Sequence, residues 1–173
     1  MKTRSTPSQY KVELFSHDPQ WVVMYHDEAA KLAALFVDTL VSIHHFGSTS
    51  IPTIRAKPII DILVQINSAH IPDVIISALS DNGYTERLFD DGRARRTFNK
   101  DNKHGVRLFN IHVVEQGNRF GQEMLQFCEV LRANPLLAKE YEAIKLQSAV
   151  DANDTQAYYK AKEYFFEQIL SKA

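Results

Sequence analysis

Asp61 is the residue that demands a chemical explanation. It stands in "KPIIDILVQI", Lys57 to Ile66, with Ile59, Ile60, Ile62, Leu63 and Val64 around it. A carboxylate buried without a partner among branched apolar side chains costs several kcal/mol, so it must meet a polar pocket, a metal ion or a basic group. Lys57 or an arginine further along the chain would serve as that basic group. Upstream lies Gly47-Ser48-Thr49-Ser50, with twelve residues between Ser48 and Asp61. Glycine lets the backbone approach closely, and hydroxyls beside backbone N–H groups suit phosphate or another anion. A Gly-Ser pair alone marks a turn more often than a site; an acid on the following strand makes the pattern more specific. Lys57 has the same strand parity as Asp61 and is placed to neutralise a bound anion or Asp61 itself.

Other candidates carry weaker signals. Arg93, Arg95, Arg96, Lys100, Lys103 and Arg107 fall within fifteen residues that hold one acid, Asp101. Arg93 and Arg95 share a strand face that could clamp a phosphate or carboxylate, although a charged, solvated hairpin is an equally ordinary reason for them. The patch is too short to point to nucleic acid. Lys162 shares a helical face with Tyr158 and Phe165, and so either reaches inward toward Asp61 or runs out to solvent. His112 sits on an apolar strand, where a histidine packs as often as it binds. His44 and His45 are adjacent, so at most one of them faces the pocket. Cys128 lies in a helical stretch with nothing beside it that marks a nucleophile.

The elements that must position these residues follow from periodicity. Asp18 and Pro19 open a helix whose face is Trp21, Met24, Tyr25, Glu28, Leu32, Leu35 and Phe36. "VSIHHFG" reads as a strand, and "KPIIDILVQI" as a strand buried on both faces. "IPDVIISALSDNGY" is a helix stopped at Asn82-Gly83. "RARRTFNK" and "VRLFNIHVVE", joined by "DNKHG", form an antiparallel hairpin. From Gln122 the chain is helical, with breaks at Asn134-Pro135 and "DANDTQ". The 173 residues, 45% hydrophobic and 24% charged with net charge −1, describe one globular domain and give no global case for nucleic acid or an anionic membrane. One cysteine, no signal-like N-terminus and no long apolar run lead to the expectation of a soluble cytoplasmic protein with no membrane partner.

A glycine-serine turn followed by an acid on an apolar strand resembles the signature of the nucleotidyltransferase fold. More closely, "HHFGSTSIPTIRAKPIIDILV" is similar to the GrpB family of that superfamily, whose members share a Gly-Ser-Thr-Ser-hydrophobic-Pro loop and a Lys-Pro-hydrophobic-hydrophobic-Asp strand. Four further segments match in order: Trp21 and Glu28 in the first helix, His112 in "NIHVVE", Leu131, Arg132 and Pro135, and Tyr158, Ala161, Lys162 and Phe165. The resemblance implies an α+β fold: a nucleotidyltransferase-like mixed β-sheet with flanking helices and a helical C-terminal part, over residues 1–173 with 1–10 a loose arm.

Two functional expectations follow from the resemblance. The first is an enzyme that transfers a nucleoside monophosphate to a small acceptor. It would use Mg2+ or Mn2+ held by Asp61 and His112, with Gly47 and Ser48 as the phosphate loop and Lys57 or a hairpin arginine stabilising the moving charge. Active members of the superfamily present two carboxylates at alternate strand positions and a third from a neighbouring strand; here Leu63 takes the second place. The alternative is a module that binds a nucleotide or another small anion through Gly47, Ser48, Thr49, Ser50, Lys57, Lys162, Arg93 and Arg95, with Asp61 as an orienting acceptor. If Glu28 or Glu115 joined Asp61, the metal site would recover; if both pointed away, the binding module would gain.

Overall fold

The computed structural model describes residues 13–88, 94–150 and 155–171. The arm expected over 1–10 and the side chains of Arg93 and Tyr158 lie outside the described parts. The chain runs α1 (Gln20–Leu35), β1 (Leu40–Phe46), β2 (Ile60–Ile66), α2 (Asp73–Asp81), β3 (Tyr84–Arg87), β4 (Arg96–Asp101), β5 (Arg107–Glu115), α3 (Arg119–Ala133), α4 (Pro135–Val150) and α5 (Thr155–Leu170). The sheet order is β1-β2-β5-β4-β3. Only the β2–β5 pair is parallel among these neighbours.

β2 lies inside the sheet, between β1 and β5, because its sequence tolerates burial on both faces: Ile60, Ile62, Leu63 and Val64 are each 0% exposed. One face of the sheet meets α1 and α2 through Ile60, Ile62, Ile111, Phe98, Trp21, Leu32 and Leu79. Against the other face Leu63, Val114 and Phe46 pack on Phe120 and Cys128 of α3. Behind α3, Phe127 and Leu131 join Tyr141 of α4 and Phe165 of α5, which closes the helical part over the loop after β1.

Local signals fix the ends of these elements. Asp18 Oδ1 accepts from Gln20 N–H at 2.9 Å and starts α1, and Pro135 opens α4 with Asn134 Oδ1 accepting from Leu137 N–H at 3.1 Å. Three expectations need correction. β3 forms where no strand was expected, because its four residues are too few to show alternation and it is held by its pairing with β4. α3 starts at Arg119, ahead of Gln122, where Asn118 Oδ1 accepts from Gly121 N–H. β2 starts at Ile60, so Lys57 belongs to the loop and not to the strand.

Candidate functional site

The site is set by register. Asp61 pairs with Asn110 across β2 and β5, and Leu63 pairs with His112. Alternation therefore puts Asp61, Leu63, Asn110 and His112 on the face covered by α3. Asn110 Nδ2 donates to Asp61 Oδ1 at 2.9 Å. Arg107 Nη1 donates to Asn110 Oδ1 at 3.3 Å, which orients the amide with its N–H toward Asp61. Gly47, at φ +70°, crosses the other carboxylate oxygen so closely that any Cβ there would overlap Asp61 Oδ2. Burial pushes the Asp61 carboxyl above the usual carboxylate range; the Asn110 bond and the charges of Lys162 and Lys57 oppose that without cancelling it.

The loop over Asp61 is a single 3-10 turn, Ser48–Ser50. Its hydroxyls divide differently from the sequence expectation. Thr49 is buried, with Oγ1 2.9 Å from His45 Nε2 and donating to Ile59 O at 3.4 Å. Ser50 Oγ donates to Gly47 O and accepts from Arg132 Nη2, both at 2.7 Å. Only Ser48 of the three faces both cavities described below, so Thr49 and Ser50 build the loop and Ser48 presents it. α3 braces the turn twice: Gly47 N–H points at Cys128 Sγ (3.2 Å), and Arg132 donates to Ser50 O (3.1 Å) and His45 O (3.2 Å). Burial pushes the Cys128 thiol up, in keeping with a packing role.

Two adjoining cavities share Ser48, Asp61, His112 and Lys162. The polar one, about 250 Å3, is walled by Lys57, Lys145, Thr49 and Asn110 as well. The aromatic one, about 380 Å3, is lined by Phe120, Phe127, Tyr141, Phe166 and Met124, with Arg95 and Glu163 among its polar residues. Lys162 thus turns inward to Asp61. Burial, together with the charge of Lys162, lowers the Lys57 ammonium below its ordinary value, and Asp61 opposes that shift. Three other hairpin cations are paired with acids: Arg96 makes two 2.7 Å bonds to Glu86 on the opposite face, Lys100 bonds Glu28 there, and Arg107, besides its contact with Asn110, pairs with Asp101. Arg95 lines the aromatic cavity, 4.4 Å from the Phe120 ring centroid.

The residues around Asp61 are a poor set of ligands for a divalent ion. Among the described residues no three carboxylate, imidazole or thiol groups cluster as a ligand set. Glu28 lies on the far face, accepting from Tyr84 Oη (2.6 Å), Lys100 (2.7 Å) and Lys31 (2.9 Å). Glu115 is exposed at the other end of β5, opposite Ile66. His112 stands opposite Leu63, one pair removed from Asp61, with its ring 5.2 Å from Phe46 and 5.6 Å from Phe120. The group beside Asp61 is an amide that donates, with lysines around it, so the donor set does not fit a two-ion site.

Asn110 and Lys145 were missed by the sequence reading. Asn110 shows no signal in one chain except its pairing parity with Asp61. Lys145 did carry one: it lies on the buried stripe of α4 with Ala138, Tyr141 and Glu142.

A mixed sheet whose second strand carries an acid under a glycine-serine turn is the nucleotidyltransferase-like arrangement. Cid1 in complex with the UTP analogue UMPNPP superposes with a TM-score of 0.50 at 12% identity, covering 76% of this chain and 40% of that one, a likeness of fold. The chain belongs to the GrpB family, whose profile, described as "GrpB protein", matches residues 11–172. The crystal structure of the conserved protein GrpB from Enterococcus faecalis gives a TM-score of 0.76 at 26% identity, over 91% of this chain and 99% of that one. Glutamate-rich protein GrpB of Alkalihalophilus pseudofirmus is 32% identical over 94% of this chain and 95% of its own length. UPF0157 protein YqkA of Bacillus subtilis is 36% identical over 86% of this chain, which spans 43% of that longer relative. No described helix is long and apolar enough to cross a membrane.

Proposed function

We propose that this chain is a binding module for a nucleotide or a comparable small anion, seated in the nucleotidyltransferase-like pocket without a divalent ion. The observation that carries the reading is the company Asp61 keeps. Lysines and an amide donor surround it, while Glu28 and Glu115 point away. Lys57, Lys162 and Ser48 hold the anionic end, Asp61 and Asn110 orient it, and the aromatic cavity receives an apolar or aromatic body. Transfer of a nucleoside monophosphate with Mg2+ or Mn2+ is the second reading; the fold favours it, and Leu63 and Asn110 stand against it.

Calorimetric titration of ATP and UTP, in EDTA and again with magnesium or manganese, separates the two. The expected result is binding that persists in EDTA. Binding that appears only with the ion and vanishes in Asp61→Ala would reinstate the transfer reading, and no binding under any condition would remove the nucleotide from both.

A further inference from the structure

Lys145 is 1% exposed, yet it walls the polar cavity. α4 carries it inward beside Tyr141, whose ring centroid is 4.9 Å from Nζ, and Nζ donates to the Arg55 carbonyl at 2.5 Å. Lys57 and Lys162 line the same cavity, and among its described lining residues the one carboxylate is Asp61. Glu142, the acid nearest in sequence to Lys145, is occupied by Lys139 at 2.8 Å and by the Arg55 N–H. Three ammonium groups therefore border one small cavity. Ammonium groups crowded in a low-dielectric space repel one another strongly, which favours loss of a proton from one of them. Lys145 is the one furthest from solvent. Burial first, and then Lys162, bring its ammonium down to about 7 against the opposing pull of Glu142.

Resting on the reading of this pocket as an anion site, we propose that Lys57, Lys145 and Lys162 form a subsite for a dianionic, phosphate-like group, and that Lys145 takes up a proton from solvent when the group binds. No bond to the ligand forms; the Nζ lone pair accepts the proton, and the ammonium then faces the anion. The groups facing Lys145 are Lys57 in the loop before β2, Asp61 on β2, His112 on β5, Tyr141 and Glu142 on α4 and Lys162 on α5. The sign follows from the lowered value in the empty site. Affinity is full below the empty-site value, where Lys145 is already charged, and it falls as pH rises from there to the pKa that Lys145 has in the complex.

Inorganic sulfate is the probe, because it stays a dianion across this range and leaves all pH dependence to the protein. Calorimetry near neutrality in two buffers of different ionisation enthalpy should show uptake of about half a proton. Affinity should fall roughly ten-fold between about one pH unit below neutrality and about one above. Lys145→Met, with its fold checked by circular dichroism, should bind sulfate more weakly, with a flatter pH profile and less dependence of the heat on buffer. The wild-type measurement does not depend on the variant folding. Sulfate binding with no net proton uptake, or a variant with the wild-type pH profile, would overturn the role of Lys145. Nucleotide binding without sulfate binding at concentrations on the order of tens of millimolar would overturn the subsite alone. Failure of sulfate, ATP and UTP together would take the anion pocket with it.

Discussion

Glu28 and Asp61 are carboxylates set against opposite faces of the same sheet, and their surroundings treat them in opposite ways. Glu28 is buried, and burial pushes its carboxyl up, but bonds from Lys100, Tyr84 and Lys31 outweigh that and hold it below the usual range. In return, burial and the Glu28 carboxylate drive the Tyr84 phenol upward. Every oxygen there has a donor, and the group ties α1 to β3 and β4. Asp61 receives one amide, stays above the usual range and borders open space. A buried charge that is fully matched fastens elements together; one left partly matched beside a cavity leaves an acceptor open to that space.

The sharpest way to break this contrast is Glu28→Leu, which should cost roughly 3 kcal/mol of stability in urea unfolding, because Lys100 and Tyr84 lose their acceptor. The lowered carboxyl adds a pH signature. Its contribution is present above the unfolded value and is lost as pH falls through the folded one, so the variant should lack that acid-sensitive component. An unchanged urea midpoint would make the quartet ornamental.

Gly47→Ala should cost about 2–3 kcal/mol, since a backbone at φ +70° and ψ −173° is a conformation essentially restricted to glycine, strained by about 1–3 kcal/mol for other residues, and the new methyl also strikes Asp61. Gly83→Ala is its partner measurement: φ there is +81°, but no atom lies near the added Cβ, so only backbone strain remains. Equal losses at both positions would mean that the turn does not press on Asp61. The smallest effect is expected from Asp61→Asn, and it has the opposite sign. Charge on Asp61 penalises the folded state above its unfolded pKa, a penalty relieved as pH falls through the raised folded value. The variant should therefore be slightly more stable near neutral pH, with a gain that shrinks on acidification. A clear loss of stability would show Asp61 to be a fastener like Glu28.

Much of this contrast could be read before the fold was known, and the reason differs from residue to residue. Asp61 announced itself because a charge in an apolar run violates the pattern around it. The Gly-Ser-Thr-Ser turn, β2, the β4–β5 hairpin and the long helices were equally clear from local periodicity. What stayed hidden depends on contacts remote in sequence. Glu28 finds Lys100 across the sheet, Arg132 finds the turn from α3, and Lys145 finds the Arg55 carbonyl from α4. Asn110 is an unremarkable polar residue until register sets it beside Asp61. The inward turn of Thr49 depends on which way a single 3-10 turn rolls, and hydroxyl count alone does not reveal that.

Leu63 has a consequence for any attempt to rebuild the site. It is sealed under the first turns of α3, packed with Phe120 and Cys128, and Gly121 approaches so closely that a Cβ there would sit 3.4 Å from Leu63 Cδ2. An aspartate placed at position 63 would meet a wall of hydrocarbon instead of an ion, at a penalty of several kcal/mol. A second carboxylate therefore cannot be built into this strand by one substitution; the helix would have to withdraw first.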